Sequence, residues 1–269
     1  MTHEDVLQRA SLALNGRRPQ EAERIVREIL RADPRHARAL FILGAAQLTE
    51  GRVDDAITTL ENAVRIKHDA EIDTMLAIAF RRAGRDDDAL SRLKRAVKRR
   101  PAYAGAFLEF GSLLTALNRY DEAVEILNRG MAVAPMMSQL PIQLGQTFLQ
   151  RRDCVSAQAA FGRALSVAPD SLEALLGLAK AHQELGDCEP AAAYFRRCLM
   201  IRPDDARTLL NLGHCLLELG QIEAGYDCFR LAARGEQQRY GDALASLVKS
   251  GRGRFWLKPS AARQYLLKN

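Results

Sequence analysis

The sequence is poor in almost everything that catalysis uses. It holds no GxxxxGK[ST] phosphate loop, no GxSxG elbow, no HExxH pair and no strand pattern to support a dinucleotide fold. Its five histidines, His3, His36, His68, His182 and His214, are scattered along the chain, so no metal site, cofactor or catalytic base is expected. The five cysteines include no CxxC pair, and an intracellular chain would keep them reduced. No apolar run approaches the roughly 20 residues that a membrane-spanning helix needs. His3, Glu4 and Asp5 stand where a secretory signal would be cationic and then apolar, so a cytoplasmic protein is expected.

Present instead is a period. Ala22, Ala56, Ala89, Ala123, Ala157, Ala191 and Gly225 follow one another at intervals of 34 residues, with one interval of 33. Pro34, Pro101, Pro135, Pro169 and Pro203 keep the same beat, with His68 where one is missing. The stretch from Ala104 to Met137 shows the unit most cleanly: two apolar-periodic segments around a polar turn at Asn118 and Arg119, closed by Pro135. Such a helical hairpin cannot bury its own apolar faces and must stack on copies of itself.

The column pattern resembles the tetratricopeptide repeat. Position 8 holds Ala10, Gly44, Ala77, Gly111, Gly145, Ala179 and Gly213, expected to meet position 20 where the two helices of a hairpin cross. Position 24 holds Val26, Leu60, Leu93, Leu127, Phe161, Phe195 and Phe229, expected to be an apolar knob between hairpins. Position 17 includes Cys154 and Cys188, each read as filling an apolar slot and neither as placed to form a bridge. Gly51, Gly84, Gly186 and Gly220 are expected to end first helices in the left-handed conformation.

The resemblance implies an all-α fold, a right-handed superhelical solenoid of about seven repeats at 3-36, 37-69, 70-103, 104-137, 138-171, 172-205 and 206-239. A capping helix over 240-250 and a basic aromatic tail over 251-269 would follow. Three departures stand out. Repeat 1 reads as carrying an extra turn residue (GRRPQEA against GRVDDA), Thr2 with Asp5 offers a capping box, and Pro141 is expected to start its helix.

In this family positions 2, 6, 9 and 13 line a concave groove. Repeats 2 and 3 place Arg38, Ile42, Ala45, Thr49, Glu71, Met75, Ile78 and Arg82 there, read as a surface with an apolar middle. The later repeats place Gln139, Gln143, Gln146, Lys180, Arg207, Asn211 and His214 there, a polar row suited to the backbone groups of an extended peptide. A plain solvated helix face reads the same way.

The tail from 234 onward holds eight Lys and Arg against two acids, which accounts for the formal net charge of +6. A second basic run, Arg81 to Arg100, lacks the interleaved aromatics that stack bases. Arg252, Arg254, Phe255 and Trp256 either seal the end of the solenoid or form an arm that contacts a partner. The reading is a non-enzymatic protein-protein interaction scaffold or adaptor with no cofactor, binding a protein or peptide partner. The alternatives are a targeting or regulatory subunit for a glycosyltransferase or sulfotransferase on another chain, and a nucleic-acid-binding solenoid.

Overall fold

The computed structural model describes residues 3–233 together with 242, 243, 245, 265 and 266. Those residues form fourteen α-helices and no strand, the all-α helical-repeat solenoid that the period demands. Two compact units divide the chain after Pro135.

The first unit contains four hairpins: α1 (His3–Asn15) with α2 (Pro19–Ala32), α3 (Ala37–Thr49) with α4 (Val53–Ile66), α5 (Ala70–Arg82) with α6 (Asp86–Ala96), and α7 (Ala104–Ala116) with α8 (Tyr120–Val133). The second contains three: α9 (Gln139–Gln150) with α10 (Cys154–Val167), α11 (Leu172–Glu184) with α12 (Cys188–Ile201), and α13 (Ala206–Glu218) with α14 (Ile222–Ala233). Within a unit each hairpin packs on the next, and α3 also touches α1 and α5, as α9 touches α11.

Every odd helix ends in one device. The residue after the left-handed position donates its N–H back five residues, from Arg52 to Gln47 at 2.9 Å and from Gln221 to Leu216 at 2.8 Å, for example, satisfying carbonyls that the helix end would leave open. Glycine fills the left-handed position in four repeats, whereas Arg17, Asn118 and Arg152 fill it in the others at φ 56°, 59° and 64°. Repeat 1 therefore has no extra turn residue. Arg17 rather than Gly16 is the equivalent of Gly51, and Pro19 opens α2 just as Val53 opens α4.

The single 33-residue interval arises between α4 and α5. There Asp69 accepts the N–H of Glu71 at 2.9 Å and caps α5 directly, so the connector is one residue short. Helix α9 begins at Gln139, two residues before Pro141, whose ring sits buried in the first turn where a missing N–H costs nothing. Thr2 lies outside the described residues.

The glycines at position 8 make room for a large side chain of their own hairpin. A Cβ on Gly44 would lie 2.6 Å from Leu60, on Gly111 2.5 Å from Leu127, and on Gly145 2.7 Å from Phe161. The knob at position 24 thus fills the space left by position 8 of its own hairpin. In the last hairpin position 8 also meets position 20, with the Gly225 carbonyl 3.0 Å from a Cβ on Gly213. Phe161 additionally reaches the next hairpin, where a Cβ on Gly177 would lie 2.3 Å from its ring. That contact explains why a groove column contains glycine.

Asp73 is fully buried in α5, at position 4, where other repeats carry Leu40, Phe107, Leu175 and Leu209. Its Oδ2 accepts from Arg99 Nε at 2.6 Å, and Arg92 lies 3.6 Å from Oδ1. Arg99 occupies position 30, where Ile66, Val133, Val167 and Ile201 stand elsewhere. Both positions thus depart from their apolar columns in the same repeat, and an ion pair joins them. Helix α6 is correspondingly the shortest, with 11 residues.

All five cysteines are free thiols. Cys154 is buried and its Sγ lies 3.6 Å from Glu184. Cys188, the first residue of α12, is partly buried and packs against the apolar cluster around Phe195 and Leu216.

Candidate functional site

The columns expected to line a groove behave differently in the two units. In the first, Ile42 and Ala45 are buried in the core at 1% and 6% exposure, so the expected apolar middle of the surface is not formed by them. The charged members are consumed internally. Arg38 donates to Glu71 at 2.6 Å and lies 4.6 Å from the centre of the Phe41 ring. Arg81 donates to Glu109 at 3.1 Å, and Arg82 donates to the Leu48 carbonyl at 2.5 Å. The Tyr103 ring covers Gly105, where a Cβ would lie 2.7 Å from it, and burial together with Glu71 and Glu109 pushes its hydroxyl pKa up.

The second unit leaves the same columns open. Gln139 is exposed, Gln143 and Gln146 are half-buried along α9, and only Gln146 is engaged, donating to Glu173 at 2.7 Å. Exposed Lys180 lies 3.7 Å from Glu184. Arg207 and Asn211 have no side-chain partner among the described residues. His214 packs edge-on against Phe229 at 5.2 Å, and burial lowers its pKa against the opposing pull of Glu218.

Lys180, Arg207 and Asn211 meet around one cleft of about 520 Å³ between α11 and α13. Leu176 and Phe195 form part of its wall, and Asp204, Asp205 and Asp242 add carboxylates that sequence reasoning missed. Asp205 is held by its capping role, accepting the N–H and hydroxyl of Thr208. Gln139, Gln143, Gln146 and His214 lie off this cleft.

The basic run from Arg81 to Arg100 does not form one cationic face. Arg85 pairs with Asp88 at 2.7 Å and lies over Phe80, while Arg92 and Arg99 turn inward to Asp73. Lys94, Arg95 and Lys98 remain exposed. Arg252, Arg254, Phe255 and Trp256 lie outside the described residues. Ala243 and Leu266 are buried against Leu217, Tyr226 and Phe229, with Tyr265 edge-on to Tyr226 at 5.6 Å, so part of the C-terminal segment covers the last hairpin.

Among the described residues no group of His, Cys, Asp and Glu could hold a metal ion, and no helix is long and apolar enough to cross a membrane. What the geometry offers is a repeated scaffold with side chains presented in rows.

Models of the tetratricopeptide repeat match residues 7–71, 80–139, 142–206 and 206–234. The chain belongs to the tetratricopeptide repeat family, whose members act generally as protein-interaction scaffolds. No curated protein matches it by sequence. Among solved structures it is similar to PilF of Pseudomonas aeruginosa, with 21% identity, a TM-score of 0.66 and coverage of 78% of this chain and 96% of that one. It is also similar to PilW, a type IV pilus biogenesis factor, with 20% identity, a TM-score of 0.67 and coverage of 74% and 93%. A thermophilic repeat protein of Thermus thermophilus shares 25% identity, with a TM-score of 0.54 and coverage of 67% and 99%.

Proposed function

We propose that the protein is a non-enzymatic scaffold that holds an extended peptide segment of a partner along α9, α11 and α13. One observation carries this reading: Gln139 and Gln143 on α9 and Arg207 and Asn211 on α13 have no side-chain partner among the described residues. An extended peptide exposes an N–H and a C=O at every residue, and amide and guanidinium side chains in a row match those groups one after another. Leu176 and the edge of Phe195 supply an apolar floor for a side chain between them. The carboxylates of Asp204 and Asp242 favour a segment with a cationic side chain at that point.

Peptides selected for binding to the full chain from a random library test the reading. The triple substitution Gln143→Ala, Gln146→Ala and Asn211→Ala is expected to weaken the selected peptides at least tenfold without changing the thermal midpoint. Unchanged affinity would place the binding surface elsewhere.

A further inference from the structure

One edge of the first unit carries positive charge that packing does not ask for. Position 29, at or just past the end of each second helix, holds Arg31, Arg65 and Lys98 in the first three hairpins. The next three hairpins hold Ala132, Ser166 and Met200 there, so the fold is built equally well without a cation. A helix dipole favours a cation in the last turn, yet α8, α10 and α12 end without one. Arg31, Arg65 and Lys98 are exposed, and none of them pairs with a carboxylate among the described residues. Arg65 reaches only the Asn62 side chain, at 3.3 Å.

The connectors beyond those helix ends extend the pattern. Arg35, Lys67, His68 and Arg100 are exposed there, and of these only Lys67 has an ion-pair partner among the described residues, Asp69 at 3.0 Å. The second and third connectors bound a cleft of about 390 Å³, with Lys67 and His68 on one and Arg99 and Arg100 on the other. Its carboxylates are already engaged: Asp69 caps α5 and holds Lys67, and Glu71 accepts from Arg38. Arg99 turns its Nε to Asp73, which leaves Arg100 facing the cleft without a carboxylate. The exposed end of the Arg81 to Arg100 run thus joins cations of two earlier hairpins.

We propose that this connector edge is a second docking surface, which takes an acidic segment of a partner protein and seats one of its carboxylates in the cleft beside His68 and Arg100. Single exposed ion pairs contribute little, so the segment must meet several of these cations at once. Arginine suits the task, because its planar fork accepts a carboxylate through two parallel hydrogen bonds. The pattern favours a peptide over a nucleic acid. Asp33 and Asp69 stand between the cations of the first two connectors, and Glu71 lines the cleft. A nucleic-acid backbone, charged at every phosphate, would have to pass those carboxylates, whereas spaced Asp and Glu residues can meet the cations and skip the acids. Tyr103 lines the cleft but lays its ring over Gly105, and it alone offers no row on which bases could stack. The proposal concerns other residues than the α9 to α13 row and stands or falls independently of it.

The test measures binding of a fluorescein-labelled oligoglutamate peptide to the full chain by anisotropy at low ionic strength. Binding is expected, and it should weaken as salt is added. Arg65→Glu with Lys98→Glu should weaken it at least tenfold, and the milder pair His68→Ala with Arg100→Ala several-fold, with the thermal midpoint unchanged. If the charge-reversed pair lowers the midpoint, the neutral pair decides. Arg163→Glu with Arg196→Glu makes the same change in net charge on exposed residues of the second unit and should leave the affinity unchanged. Equal losses in the two charge-reversed pairs would show attraction to net charge alone and overturn the proposal. Failure of the peptide to bind, affinity retained in the edge variants, or tighter binding of a DNA oligonucleotide of equal charge would overturn it as well.

Discussion

The first unit spends more of its polar groove columns on itself than the second does. Arg38 with Glu71, and Arg81 with Glu109, tie successive odd helices together in the first unit. At the equivalent columns of α9 and α13, Gln139, Gln143, Arg207 and Asn211 face outward with no such tie. The cores differ in parallel. Position 24 is Leu60, Leu93 and Leu127 in the first unit and Phe161, Phe195 and Phe229 in the second, all at 0–1% exposure. A larger knob buries more apolar area per hairpin, on the order of 25 cal/mol for each Å². The second unit thus packs on larger knobs, and ties α9 to α11 at these columns through Gln146 and Glu173.

Substitutions in both units sharpen or break this comparison. The largest effect is expected from Phe161→Ala, because Phe161 fills the space facing both Gly145 and Gly177; a loss of about 4 kcal/mol should appear in urea denaturation. A small loss would show that packing does not hold the second unit.

Asp73→Ala should cost about 3 kcal/mol, since it strands Arg92 and Arg99 beside a buried hole, and the loss should appear as local hydrogen exchange in α5 and α6. Asp73→Leu with Arg99→Ile installs the residue types found at these two positions in other repeats and should recover most of it.

Arg207→Ala with Asn211→Ala should weaken peptide binding roughly tenfold, the loss of about 1.4 kcal/mol expected when two hydrogen bonds go. Arg38→Ala with Glu71→Ala, in the unit that pairs internally, should leave the affinity unchanged and shift stability by at most about 1 kcal/mol.

The smallest effect is in pH. Burial holds the His214 pKa below its ordinary value of 6.5, so the unfolded chain binds this proton more readily than the folded one. Stability of the second unit is complete above pH 6.5 and falls as pH drops towards the lowered folded value. His214→Gln should flatten that part of a stability-against-pH curve.

The architecture was legible because it rests on a period, and small residues at positions 8, 20 and 27 can be counted along a chain. Individual contacts were not. Gly16 looked like the left-handed residue of repeat 1 because glycine takes that conformation cheaply, yet Arg17 takes it, held by the Arg18 N–H to Ala13 carbonyl bond at 2.9 Å. Asp73 stands in the first turn of α5, where acids are common. Its burial is visible only when positions 4 and 30 are compared together, since Arg99 departs from the apolar column in the same repeat. The polar row from Gln139 to Asn211 could be named from the columns, but whether each side chain was already paired depends on neighbours 27 to 33 residues away, as with Gln146 and Glu173 or Arg38 and Glu71.

The difference between an occupied and an open face is tested most directly by hydrogen–deuterium exchange on the full chain with and without a selected peptide. Protection confined to α9, α11 and α13, with α3, α5 and α7 unchanged, is the predicted result. Protection on α3, α5 and α7 instead would contradict it.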